Sequence, residues 1–330
     1  MNSSRAKAAV AAAAVGALVA TGVVVLTVAR GEEPAPPQTS FCWGTLTSDD
    51  VSALGVEPRQ EYTSREVALR DSARPYCDVA DEFTLTVDSV ISATDVWRTA
   101  DEVAAESPFR APIAGVPGWV NRSYAGVLLP AACGRELGQA GAPYLQLDAT
   151  NDQEDVWKDG VLQKRMTDVL MKAAVGLTKE LGCAAGNFAS PRTAPRLLRN
   201  DGLDDGNACG LRGFSPLSNG PSGPTAIQYA TAPDDFRLWS CAIGSSDDPW
   251  KGIVHFTATQ DPRLVGLYGA DSGGKEPRAL LTCEGKPTLL EMGHFFGGAD
   301  APARGILRED MDLFEGFVEA VTDQAGCERP

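Results

Sequence analysis

At 330 residues the chain has room for two ordinary domains, and 43% hydrophobic with 22% charged residues lets most of it fold around packed cores. The formal net charge is −15; Arg5, Lys7 and Arg30 are the only charges in the first thirty residues, so the remainder carries about −18. Such a surface repels phosphate, which excludes sequence-independent nucleic-acid binding and a broad polybasic contact with anionic lipid.

Residues 8–29 form an unbroken run of small, apolar and hydroxyl side chains. Twenty-two residues in a helix reach about 33 Å, enough to cross a hydrocarbon core of about 30 Å. Arg5 and Lys7 precede the run, so the predicted orientation leaves residues 1–7 as a cytoplasmic stub and everything after the span outside. A cleaved signal peptide, with small residues near Ala29, is the competing reading and would leave a secreted chain. Residues 30–40 are polar and rich in Pro, a short extended stalk.

The first domain is expected over 41–184. LTSDDVSALG (46–55) predicts a short helix with Thr47 or Ser48 as its cap, and EFTLTVDSVI (82–91) alternates as a half-buried strand. TDVWRTADEVAAE (94–106) predicts a helix, and FRAPIAGVPGW (109–119) a loop. SYAGVLLPAAC (123–133) and PYLQLDA (143–149) read as two strands joined by a Gly-rich turn. A long amphipathic helix follows, with Met166, Val169, Leu170, Ala173, Ala174, Leu177 and Leu181 on one stripe and Gly182 as its stop.

Residues 185–207 are rich in Gly, Pro, Asn and Asp and are expected to be a linker. The second domain, 208–330, repeats the order more compactly. Strand candidates at 225–231, 236–243, 252–260, 278–283 and 288–292 lead to a closing helix with Leu313, Phe314, Phe317, Val318 and Val321 on one face.

That closing helix is a second version of the first. Asp168–Cys183 and Asp312–Cys327 each begin with Asp, repeat apolar residues at helical spacing and end on Gly-Cys. The chain therefore reads as two related halves with four cysteines apiece: Cys42, Cys77, Cys133 and Cys183, then Cys209, Cys241, Cys283 and Cys327. Successive gaps are 35, 56 and 50 residues in the first half and 32, 42 and 44 in the second. An even number outside an apolar span predicts four disulfides in an oxidising compartment. Local context favours first with second and third with fourth in each half, Cys133 and Cys283 each closing a strand and Cys183 and Cys327 each closing a helix. Bridges between halves are the alternative. Strands clustered between helices, without regular β-α-β alternation, favour an α+β class with mainly antiparallel sheets.

The motifs for chemistry fail one by one. Asp271-Ser272-Gly273-Gly274 resembles the nucleophile motif of chymotrypsin-like proteases, yet Ala270 stands before the Asp and His255 lies only 17 residues upstream. An EF-hand loop from Asp201 would need ligands where Leu203 and Arg212 stand. No C-x-x-C pair suggests zinc, and no glycine pattern suggests a nucleotide, so no cofactor is expected. His255 alternates within IVHFTA, on what reads as the less buried face of its strand. His294 sits in EMGHFFGGAD beside two Phe, which suits a ligand-contacting loop or a packed turn. These two histidines are the weak ligand-site candidates.

Cys42-Trp43-Gly44-Thr45-Leu46-Thr47 with Cys77, behind an apolar span and a Pro-rich stalk, resembles the opening of uncharacterised exported, membrane-anchored proteins of actinobacteria with tandem Cys-paired α+β domains. Cys209-Gly210-Leu211 with Cys241 matches more loosely. The resemblance implies an extracytoplasmic address and no catalytic residues. The expectation is thus a non-enzymatic binding or interaction protein, anchored through residues 8–29, that meets an envelope protein or a small ligand between its two domains. A cell-envelope hydrolase without a recognisable motif is the alternative.

Overall fold

The computed structural model describes residues 39–55, 64–90, 111–113, 115–121, 124–149, 160–183, 188–191, 198–200, 203, 206–218, 226–230, 238–245, 248–267, 277–294 and 307–329. The chain divides after Gln38, and Thr39–Pro330 forms one compact unit. Residues 8–29, the helix expected over 94–106 and the Asp271-Ser272 loop lie outside the described residues. Among those described, no helix is long and apolar enough to cross a membrane.

The fold is α+β, with two seven-stranded antiparallel sheets, and every cysteine is oxidised. A two-residue ribbon opens it, β1 (Ser40–Phe41) against β2 (Leu46–Thr47), followed by α1 (Ser48–Ala53). Thr47 caps α1 as the sequence suggests: its backbone N–H and hydroxyl both donate to Asp50 at 2.7 Å. The first sheet uses β3 (Ser64–Glu66), β4 (Tyr76–Val79), β5 (Phe83–Val90), β6 (Ala111–Pro112), β7 (Gly118–Val120), β8 (Tyr124–Leu128) and β9 (Ala142–Ala149). Its spatial order is β3-β4-β5-β9-β8-β7-β6.

Two expectations need correction here. The stretch 123–133 is not one strand: Pro130 ends it, and Cys133 lies in a helix, α2 (Ala131–Leu137), between β8 and β9. Proline cannot donate to a ladder but suits a helix start, so the apolar run LLPAAC changes state at that residue. The expected loop 109–119 contributes β6 and the start of β7, a short edge hairpin that alternation over two or three residues cannot reveal.

The long helix, α3 (Val161–Leu181), packs its predicted stripe on the sheet, with Met166, Leu170, Ala173, Ala174 and Leu177 at 0–1% exposure. Gly182 takes the left-handed conformation that a helix stop requires (φ 68°).

The second sheet uses β10 (Leu198–Asn200), β11 (Ala226–Ala230), β12 (Leu238–Ser245), β13 (Asp248–Thr259), β14 (Arg278–Cys283), β15 (Lys286–His294) and β16 (Cys327–Glu328), in the order β10-β11-β12-β13-β15-β14-β16. Strand β10 comes from within 185–207. A four-residue helix, α4 (Pro262–Val265), follows β13, and α5 (Asp310–Ala325) closes the chain before β16. Its Phe317 meets Trp239, Phe256 and Phe214 with ring centroids 5.0–6.0 Å apart, and Phe314, Val318 and Val321 are buried in the same core.

The disulfides pair Cys42 with Cys77, Cys133 with Cys183, Cys209 with Cys241 and Cys283 with Cys327. With them as landmarks, β3-β4-β5-β9-β8 and β11-β12-β13-β15-β14 are the same five-strand order, each followed by a helix whose C-terminal cysteine bonds back into its own half, Cys183 to Cys133 in α2 and Cys327 to Cys283 in β14. The first cysteine of each half also sits in a left-handed turn, at φ 52° for Cys42 and 61° for Cys209.

Candidate functional site

Each sheet buries one face under its helix. In the first, Phe83, Leu85, Val87, Leu145 and Leu147 point towards α3; in the second, Trp239, Ile243, Val254, Phe256, Leu290 and Met292 point towards α5. Because strand side chains alternate, the intervening residues line the opposite face. There the two halves meet. Val90, Trp119, Leu128, Ala142 and Tyr144 of the first sheet share one apolar cluster with Leu238, Leu264 and Leu289 of the second half.

A cation fastens this contact. Asp261 caps α4 by accepting from the Arg263 backbone N–H at 3.0 Å. The same carboxylate takes Arg263 Nε at 2.8 Å and Nη2 at 2.5 Å. The remaining arm, Nη1, crosses to the first half and donates to the carbonyls of Leu129 at 2.7 Å and Leu128 at 3.2 Å. The planar fork of arginine suits this task, holding a carboxylate on one edge while reaching backbone oxygens with the other.

Beyond the apolar contact, both inner faces turn polar. On the second sheet, Leu238, Thr259, Leu289 and Leu280 lie in register across four strands. One step further the row is Ser240, Thr257, Glu291 and Arg278, and the step after that brings Ala242, His255 and Gly293. Ser240, His255, Thr257 and Glu291 are each no more than 8% exposed. On the first sheet the same face carries the row Thr84, Asp148 and Tyr124, next to Thr86 and Gln146. Burial raises the Asp148 carboxyl to about 6, because ionisation there lacks full access to water.

Comparison with protein-family models, with curated proteins and with solved structures finds no match.

The two histidines are not brought together. His255 is on the inner face of β13, as its alternation says, but that face is covered and the residue is 4% exposed. The sequence reading of a less buried face fails because the second covering layer is the other half of the chain. His294 stands at the end of β15 on the α5 side, opposite Val254, with Nε2 3.1 Å from Asp310 Oδ1 at the first turn of that helix. Among the described residues, no three His, Cys, Asp or Glu side chains gather as metal ligands. The polar rows are what sequence reading missed. Alternation places Glu291 and Ser240 on a face, but only the register between strands some fifty residues apart aligns them.

Proposed function

We propose that this chain is a membrane-anchored, extracytoplasmic binding or interaction protein of the bacterial cell envelope, built from two tandem, internally duplicated disulfide-stapled units and without catalytic activity of its own. The observation that carries the reading is that all eight cysteines are spent on four disulfides, each within one half. Disulfides persist in oxidising compartments, and the apolar run at 8–29 supplies an anchor on the correct side of Arg5 and Lys7. The actinobacterial resemblance of the Cys42 opening points the same way. The polar rows around Glu291 and Asp148 lie covered on the faces that the halves turn towards each other, and they are the groups that a small ligand entering between the halves meets.

The test is accessibility on intact cells. The full chain should sediment with membranes, and external protease should remove the bulk of it without lysis. Protection of residues 31–330 from external protease would contradict the reading, and recovery of a shortened chain in the medium would replace the anchor by a cleaved signal. The full chain should also retain an envelope component in pull-downs. A hydrolytic activity abolished by His255→Ala with His294→Ala would make it an enzyme instead.

A further inference from the structure

The four disulfides fall into two classes, and the division is the same in both halves. The bonds Cys42–Cys77 and Cys209–Cys241 are built into the cores, and no cysteine in them is more than 1% exposed. Cys77 and Cys241 lie in β4 and β12, strands with a hydrogen-bonded neighbour on either side. A reductant reaches such a sulfur only when the sheet around it opens.

The other two bonds end at a helix stop. Cys183 follows Gly182 and Cys327 follows Gly326, and both glycines are exposed and left-handed, at φ 68° and 59°. Cys183 is itself partly exposed, while Cys327 is 8% exposed and is flanked by the exposed Gly326, Glu328 and Arg329. The pairing that holds Cys327 is short: β16 has two residues, Cys327 opposite Cys283 and Glu328 opposite Thr282. Opening either end frays a helix terminus and leaves the apolar stripe beneath the helix in place, so little of the fold has to move.

Both ends also suit the reduced state. Cys183 Sγ is 3.6 Å from Thr178 O, and Cys327 Sγ is 3.8 Å from Val321 O, carbonyls towards the ends of their helices. A thiol at either position has an acceptor within reach where it stands.

We infer that the two helix-closing disulfides, Cys133–Cys183 and Cys283–Cys327, form a redox-sensitive device: a dithiol reduces both and frees the ends of α3 and α5, while the two core disulfides keep the sheets intact. A thiolate of the dithiol attacks Sγ of Cys183 or Cys327, forming a mixed disulfide and expelling Cys133 or Cys283 as a thiolate, which takes up a proton. The second thiol of the dithiol, as thiolate, attacks the reductant's own sulfur in the mixed disulfide. The closing cysteine leaves, takes up a proton, and the dithiol ends as an internal disulfide. Two electrons pass to the protein at each bond. Until a dithiol reaches them, all four bonds stand closed. This device goes beyond the binding reading and does not depend on the ligand.

The experiment uses the full chain in mild detergent, without denaturant, and dithiothreitol as the dithiol. Timed samples are alkylated and mapped by mass spectrometry. Cys133, Cys183, Cys283 and Cys327 should become alkylated about a hundredfold faster than Cys42, Cys77, Cys209 and Cys241, because fraying exposes the first set and only opening of the sheets exposes the second. A species that keeps Cys42–Cys77 and Cys209–Cys241 should therefore accumulate. In it, amide exchange should rise about tenfold or more at 179–183 and 323–329, with β4, β5, β12 and β13 as protected as before. Replacing dithiothreitol with glutathione disulfide should restore both native bonds. Equal rates at all four bonds, a core bond reduced first, or protection lost throughout the sheets once the closing bonds are reduced would overturn the inference. Protease accessibility on intact cells reads a different property, so failure here and failure of the envelope reading are distinguishable.

Discussion

The two halves solve one problem with different materials. Both set a five-strand order on a closing helix and pin that helix by its last cysteine. In the first, α3 lies close to its surroundings through small residues: Ala173 and Ala174 face the sheet, and a side chain at Gly176 would stand 2.8 Å from Thr45. In the second, α5 brings Phe314 and Phe317 into an aromatic cluster with Trp239, Phe256 and Phe214. The lesson is that the shared part is the connectivity and its disulfides. Core chemistry and edge treatment are free to differ.

The most forceful way to break the comparison is to remove matched disulfides. Cys133→Ser with Cys183→Ser opens a loop of 50 residues, and Cys283→Ser with Cys327→Ser one of 44. Chain entropy puts each loss at about 4 kcal/mol, so urea unfolding should find the two pairs within about 1 kcal/mol of each other. A large inequality would show that the two helices are not pinned equivalently.

The inner face offers a sharper contrast. Gly126→Ala places a Cβ 2.3 Å from the Trp119 ring, which is fully buried, whereas the nearest atoms at Gly134 are 3.5 Å away. Overpacking of the first should cost about 3 kcal/mol in thermal unfolding. The second change, inside α2, should be neutral or slightly stabilising because alanine is the better helix former.

How much of this was legible beforehand follows the same division. Periodicity located α3 and α5, because each has an apolar stripe several turns long, although α3 begins at Val161, well before the Asp168 that opens the repeated stretch. The repeated Gly-Cys endings, with Cys133 and Cys283 third in each half, pointed to the bonds Cys133–Cys183 and Cys283–Cys327. Short elements were not legible: β6, β7 and β16 have two or three residues each, and α2 hid behind Pro130. The contact between the halves was invisible in the sequence because it joins Leu128 and Trp119 to Leu264 and Leu289, residues whose spacing within their own elements carries no mark of the partner.

Arg263 tests whether that contact unites the halves. Arg263→Met removes the fork from Asp261, which is 8% exposed, and from the carbonyls of Leu128 and Leu129. The orphaned carboxylate should cost about 2 kcal/mol, less than a fully buried pair because Arg263 is partly exposed. Calorimetry of the parent should show the halves melting together, and of the variant a broadened or split transition.

Asp148 gives the smallest effect and a clear sign. Its carboxyl titrates at about 6 when folded against 3.8 ordinarily, so the folded state binds the proton more tightly. Its contribution is fully present below about pH 4 and is lost as pH rises through about 6. Asp148→Asn removes that loss. After allowance for solvent screening it should stabilise by about 1 kcal/mol at pH 7 and by nothing at pH 4, read from melting temperatures across that range.

The central claim is that two disulfide-stapled units of one connectivity stand outside the cytoplasm. Mass spectrometry of non-reduced peptides, taken from the chain recovered in the membrane fraction of cells alkylated before lysis, tests it most directly. The account predicts four linked pairs, Cys42–Cys77, Cys133–Cys183, Cys209–Cys241 and Cys283–Cys327, and no alkylated cysteine. A bond between halves such as Cys42–Cys209, or cysteines recovered alkylated, would contradict it.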